Sequence, residues 1–204
     1  QYICLLFSLC VHEAAHAAMA NHCGDPTARL LGRLSLDPRK HIDPLGTFLF
    51  PLLNIFTGLV PFGWAKPVPI NPRNLHNMRR DQVLIALAGP ASNVLIALAA
   101  IFVLRIFILL SGAGIDNQTV HFIGTFFVML MLINVGLAVF NMLPVPPLDG
   151  HYLLRYFLPY NAAAALDRIG PFGIILAFML ARPWLSVTLP IVYKGIGKLL
   201  GGEI

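Results

Sequence analysis

The chain has 204 residues, of which 57% are hydrophobic and only 11% charged, with a mean hydropathy of +0.76. A soluble domain carries about 25% charged residues, so this composition excludes a water-facing globule and places most of the chain in lipid. The formal charge of +5 comes from basic residues in loops beside apolar spans, which reads as membrane topology and contact with anionic lipid rather than nucleic-acid binding.

A membrane-crossing helix needs about 20 mostly apolar residues. Residues 1–22 supply the first, uncharged except for Glu13. No basic stretch precedes residues 2–11 and no small-residue cleavage site follows them, so a signal peptide is not expected. Cys4, Cys10 and Cys23 are an odd number clustered in one region; they read as buried small apolar residues, not as a disulfide framework. Residues 24–41 form a polar segment with Arg29, Arg33, Arg39 and Lys40, and loose alternation over 28–36 predicts short strands there.

Residues 44–63 are apolar but interrupted by Pro44, Gly46, Pro51, Gly58, Pro61 and Gly63, which makes a poor straight helix. Residues 63–81 are a Pro-rich loop with Lys66, Arg73, Arg79 and Arg80. Residues 82–112 form the second span, residues 111–119 a turn without Lys or Arg, and residues 120–143 the third span. Residues 171–200 are apolar but cut by Arg182-Pro183 and Pro190, which predicts a broken segment.

Positive loops stay cytoplasmic. With 24–41 and 63–81 both on that side, 44–63 must enter and leave on one face as a re-entrant hairpin, whose irregular backbone needs shielding by protein. The ends of spans 1–22 and 120–143 then both lie toward the cytoplasm. The sequence therefore predicts an all-α polytopic membrane protein. It has three core transmembrane helices, a re-entrant apolar hairpin, short strands after the first helix and a broken C-terminal apolar segment. Residues 1–155 form the core and 156–204 a C-terminal membrane-associated helical part.

The chemistry lies in the first span, at His12-Glu13-Ala14-Ala15-His16. A spacing of four places both imidazoles on one helix face, where they can share a metal. Zinc prefers such nitrogen ligands and keeps a position open for water at catalytic sites. Glu13, about 100° round the helix, can reach that water as general base. An ionisable residue in an uncharged span is costly and marks function. A third ligand is needed, and Asp149, in Asn-Met-Leu-Pro-Val-Pro-Pro-Leu-Asp-Gly from Asn141 to Gly150, lies on the same membrane side. A turn aspartate before glycine explains Asp149 equally well, and the residues alone leave both readings open.

The His-Glu-x-x-His helix together with the Asn-x-x-Pro-x-x-x-x-Asp-Gly pattern resembles the site-2 protease family of intramembrane zinc metalloproteases, in a compact form with no PDZ domain visible. Segments 37–46 and 63–72 resemble family elements too, and Gly89-Pro90-Ala91-Ser92-Asn93 is similar to its Gly-x-x-x-Asn element. The resemblance covers roughly residues 3–155. It implies zinc on His12, His16 and Asp149, and Glu13 as the catalytic base. It gives Asn141 a role in holding substrate backbone or an oxyanion, although an interhelical hydrogen bond serves Asn141 equally. It also suggests that Gly89 and Asn93 line the substrate cleft, although close helix packing explains Gly89 as well. His151 reads as a surface histidine, with support of the Asp-Gly turn as the alternative. His22, His41, His76 and His121 show no ligand spacing, and Asp43 reads as a cap.

The function implied is hydrolysis of peptide bonds in or next to transmembrane segments of other membrane proteins. The partners are a substrate transmembrane helix and the lipid bilayer, with oligomeric state open. The location is a prokaryotic plasma membrane with the active site toward the cytoplasm. The alternative is a zinc-binding membrane protein without proteolysis, an inactive relative or chaperone, although a mere zinc holder has no need of Glu13. A transporter predicts inverted repeats, and none is seen.

Overall fold

The computed structural model describes residues 1–49, 64–111 and 117–200. Seven α-helices are described: α1 (Tyr2–His22), α2 (Thr27–Leu30), α3 (Met78–Ser111), α4 (Asn117–Asn141), α5 (Gly150–Phe157), α6 (Tyr160–Asp167) and α7 (Gly173–Leu200). Four of them, α1, α3, α4 and α7, are long and apolar enough to cross a membrane. Among the described residues there is no strand, so the short strands expected at 28–36 are replaced by the α2 turn and irregular backbone. The expected re-entrant hairpin falls mostly on residues 50–63, outside the described residues; its start, Pro44–Leu49, is a π-helical turn.

The chain divides into two compact units, Tyr2–Ser92 and Asn93–Ile204, with Gln1 grouped with the latter. In the first, α1 ends in a Schellman motif. Gly24 N–H donates to Asn21 O and Asp25 N–H to Ala20 O, and Gly24 takes a φ of 104° that side chains disfavour. Asp25, fully buried, then gathers the following loop. Its carboxylate accepts from Thr27 N and Oγ1, from Asn74 Nδ2 (2.9 Å) and from Asn71 N (2.6 Å). Ala20, Cys23, Leu75 and Ile85 close the apolar core beneath. All three cysteines are free and buried, as their composition predicts.

Helix α3 starts four residues before the span predicted from Gln82. Asn77 accepts from Arg80 N, and Asp81 accepts from Asn77 N (2.7 Å), a reciprocal cap that extends the helix over charged residues. Asp43 also caps, accepting from Gly46 N at 2.8 Å.

In the second unit, Ala97, Ala100 and Ile101 of α3 pack with Met131 and Val135 of α4 and Ile196 of α7. Small residues there let the helices approach closely. Leu95, Phe102, Leu109, Phe122, Met179 and Ile191 are exposed, the pattern of helices solvated by lipid. The C-terminal segment corrects the sequence reading, because α7 runs unbroken through Pro183 and Pro190. Proline removes a backbone N–H, but in membrane helices serine and threonine hydroxyls and neighbouring helices make up lost bonds. Beside these prolines Ser186 Oγ donates to Pro183 O and Thr188 Oγ1 to Trp184 O within the helix, and Trp184 Nε1 donates to Val139 O of the neighbouring α4 at 2.8 Å, bonds additional to the two the prolines remove.

Candidate metal centre

Helix α1 carries His12 and His16 on one face, as the spacing of four requires, and both are buried. Their Nε2 atoms face each other at 3.0 Å, with the rings edge to face and centroids 4.6 Å apart. Two nitrogens bound to one tetrahedral zinc at 2.0–2.1 Å stand about 3.3 Å apart, so the pair needs little adjustment to share an ion. His16 Nδ1 lies 2.7 Å from Ile85 O. A ring N–H donated to that carbonyl fixes the tautomer and leaves Nε2 as the metal-binding nitrogen.

Gly89 completes the cradle. A methyl group there would come within 2.4 Å of His16 Nε2 and 2.6 Å of His12 Nε2. The absence of a side chain thus brings the α3 backbone against the imidazoles on the side of their ligating nitrogens. Glu13 points to a different neighbour: its Oε2 accepts from Val68 N–H at 3.0 Å. Two imidazoles with converging nitrogens, an oriented tautomer, a carboxylate on the adjacent residue and space kept by a glycine fit a catalytic metal.

Asp149 lies in the second unit, at the N-cap of α5. Gly150 explains why the turn is built this way. A Cβ on it would lie 2.3 Å from Met142 O and 2.7 Å from Leu143 O, so the Asp-Gly step packs onto the end of α4. Asp149 is thereby fixed relative to Asn141, the last residue of α4. The Asn141 amide Nδ2 donates to Leu137 O within its own helix at 3.0 Å. Asn93 is fully buried and donates to Asn134 Oδ1 at 2.8 Å, while Asn134 Nδ2 donates to Leu130 O. In this arrangement Asn93 ties α3 to α4.

His151 corrects its reading as a surface residue: it is buried. Its Nε2 lies 3.5 Å from Asp167 Oδ1, and Arg155 Nε donates to Asp167 Oδ2 at 3.0 Å. Burial pushes the imidazole below its usual pKa, with Asp167 opposing. His41 is buried as well, with Nε2 2.7 Å from Ser35 O. The sequence reading missed the backbone groups that orient the site, Ile85 O and Val68 N–H. Nearly every residue carries such groups, proline alone lacking the N–H, so residue type does not announce which of them are used.

Residues 1–119 and 108–180 match the sequence profile of Peptidase family M50. The chain belongs to that family, which is the site-2 protease family. A member from Bacillus subtilis (strain 168), named "Putative zinc metalloprotease YwhC", is 36% identical over 180 residues, 87% of this chain and 78% of that protein. "Putative zinc metalloprotease Rip2" of Mycobacterium tuberculosis (strain H37Rv) is 30% identical over 178 residues, 86% of this chain but 63% of its own length. "Putative zinc metalloprotease MJ0611" of Methanocaldococcus jannaschii is 43% identical over 86 residues, 42% of this chain. No solved structure matches. Family membership and four apolar helices make the chain a multi-pass membrane protein.

Proposed function

We propose that this chain is a zinc metalloendopeptidase that cuts peptide bonds in or next to transmembrane segments of other membrane proteins. The observation that carries the reading is the buried His12–His16 pair, oriented by Ile85 O and flanked by Glu13, in a chain of peptidase family M50. His12 and His16 would supply two nitrogen ligands and Asp149 a carboxylate oxygen, a donor set that suits zinc. A zinc ion held there supplies Lewis acidity for the scissile carbonyl and acidity for a water molecule.

The protein's own groups do the rest. Glu13 takes the proton of the attacking water and returns it to the leaving amine. The Glu13 side chain is already fixed through Oε2 by Val68 N–H, which leaves Oε1 to carry the proton. His16 keeps its tautomer through Ile85 O. Asn141, by its amide, holds the substrate backbone or the oxyanion. No covalent acyl-enzyme is needed. A hydrogen-bonded helix hides its carbonyls, so the substrate is a transmembrane helix unwound at the cleavage point. The active site faces the cytoplasmic side of a prokaryotic plasma membrane.

The test is the position of the cut. A single-span substrate incubated with the detergent-solubilised chain yields fragments whose masses locate the bond. A cut within or bordering the span supports the reading. Cleavage confined to soluble flanks far from the span, with transmembrane sequence untouched, refutes the intramembrane assignment.

A further inference from the structure

Residues 64–70 form no regular secondary structure, yet several residues elsewhere in the chain hold this segment. Trp64 N–H donates to Gly46 O at 3.2 Å, and Thr47 Oγ1 donates to Trp64 O at 3.1 Å. Lys66 N–H donates to His41 O at 2.8 Å. Beyond the segment, Asn71 N–H is held by Asp25. The sequence of the segment is Lys66-Pro67-Val68-Pro69-Ile70. Prolines have no amide N–H, so between Lys66 and Ile70 the backbone offers one donor, that of Val68. That donor is spent on Glu13 Oε2.

Arg33 holds the carbonyl side of the same stretch. Its Nη2 donates to Lys66 O in a short hydrogen bond and to Pro67 O at 3.3 Å. The residue is only 7% exposed, and burying a guanidinium is costly unless its donors are used. The local fold aims it inward. Gly32, with a φ of 68°, ends α2 in a second Schellman motif, where Gly32 N–H meets Arg29 O and Arg33 N–H meets Ala28 O. Arg33 thus grips the carbonyl of the very peptide unit whose N–H holds Glu13, that of Pro67–Val68, and the carbonyl of the unit before it.

We infer that Arg33 is a positioning residue for Glu13, acting through the Lys66–Pro67–Val68 backbone. The inference rests on the reading of Glu13 as general base. Arg33 touches neither substrate nor metal ligands. It fixes the height of the Val68 N–H, and the Val68 N–H fixes the carboxylate rotamer. A base displaced by a fraction of an ångström transfers protons poorly, and misplacement of about 1 Å costs on the order of a hundredfold.

Two measurements on the full chain in detergent test this. The first is hydrogen exchange over residues 65–71. Arg33→Gln is expected to speed exchange of the Val68 amide at least tenfold; unchanged exchange overturns the proposal without reference to activity. The second is a double-mutant cycle of Arg33→Gln and Val68→Pro, which deletes the donor. Each single variant should lower kcat about tenfold to a hundredfold, with KM and zinc content near wild type. Arg33→Lys should recover part of the loss, and the double variant should be no worse than the worse single. Losses that multiply, or an Arg33→Gln loss that follows zinc or unfolding and is not eased by lysine, overturn it. If Arg33→Gln does not fold, Arg33→Lys takes its place in the cycle under the same criteria. An inactive wild type with zinc bound instead refutes the protease reading, whereas an active wild type with unaffected variants refutes only the positioning role.

Discussion

Gly89 sets a hard limit on what the histidine pair tolerates. A methyl group at that position would stand within 2.4–2.6 Å of both Nε2 atoms, where an ion must also fit. Gly89→Ala is expected to abolish zinc binding, read as metal content after dialysis, while a control at exposed Leu95 retains it. Asp25 offers a prediction in pH. Burial raises its pKa, but the bonds from Thr27, Asn74 and Asn71 outweigh burial and hold the carboxyl below its usual value. A depressed folded-state pKa contributes stability above the unfolded value near 4 and loses it as pH falls through the folded value. Melting followed from pH 6 downward should show an acid-side loss that shrinks in Asp25→Ala. That variant should also be less stable at pH 6 by roughly 2–4 kcal/mol, because several hydrogen bonds to a buried charge are lost together. At this scale the sequence was informative where a residue type is itself unusual in lipid. His12, Glu13 and His16 stand out in an apolar span. Asp25 and Arg33 do not, because polar residues in a loop are ordinary until folding buries them.

At the scale of elements, the Asn93–Asn134 pair reads differently from a substrate contact. Both residues are fully buried and bonded to each other, and interhelical hydrogen bonds of this kind contribute about 0.6 kcal/mol, at most about 1.7. Asn134→Ala is expected to lower thermal stability by an amount of that order and to leave KM unchanged. A KM raised several-fold without a change in stability would return Asn93 to the substrate cleft. Spans 82–112 and 120–143 were readable from hydropathy because lipid imposes length and apolarity on a crossing helix. Helix ends were less readable. The reciprocal cap of Asn77 and Asp81 carries α3 back over Arg79 and Arg80, against the reading of those charges as loop. The prolines of α7 misled for a related reason. In a soluble helix Pro183 or Pro190 would mark a break or kink, but α7 continues through both, and Trp184 bonds it to α4 beside them.

For the whole molecule, the proposed topology puts the basic loop around Arg29, Arg39 and Lys40 on the cytoplasmic side, by the rule that positive loops stay there. A cysteine introduced at exposed Arg39 should react with a membrane-impermeant maleimide in inverted vesicles and not in intact cells; the reverse result inverts the topology. His16 and Asp149 lie far apart in the sequence, and no local periodicity connects them. Only the resemblance to site-2 proteases implies a link between them, and the match to peptidase family M50 bears out the family.

The proposed zinc centre takes His12, His16 and Asp149 as ligands and Glu13 as its base. Zinc content and cleavage of a single-span substrate, measured side by side in wild type, Glu13→Gln and Asp149→Ala, test it most directly. Wild type should bind zinc and cleave. Glu13→Gln should keep its zinc and lose activity by about 10²–10⁴-fold or more, the range of general-base catalysis. Asp149→Ala should lose both. Full zinc occupancy in Asp149→Ala, or undiminished cleavage by Glu13→Gln, would contradict the account.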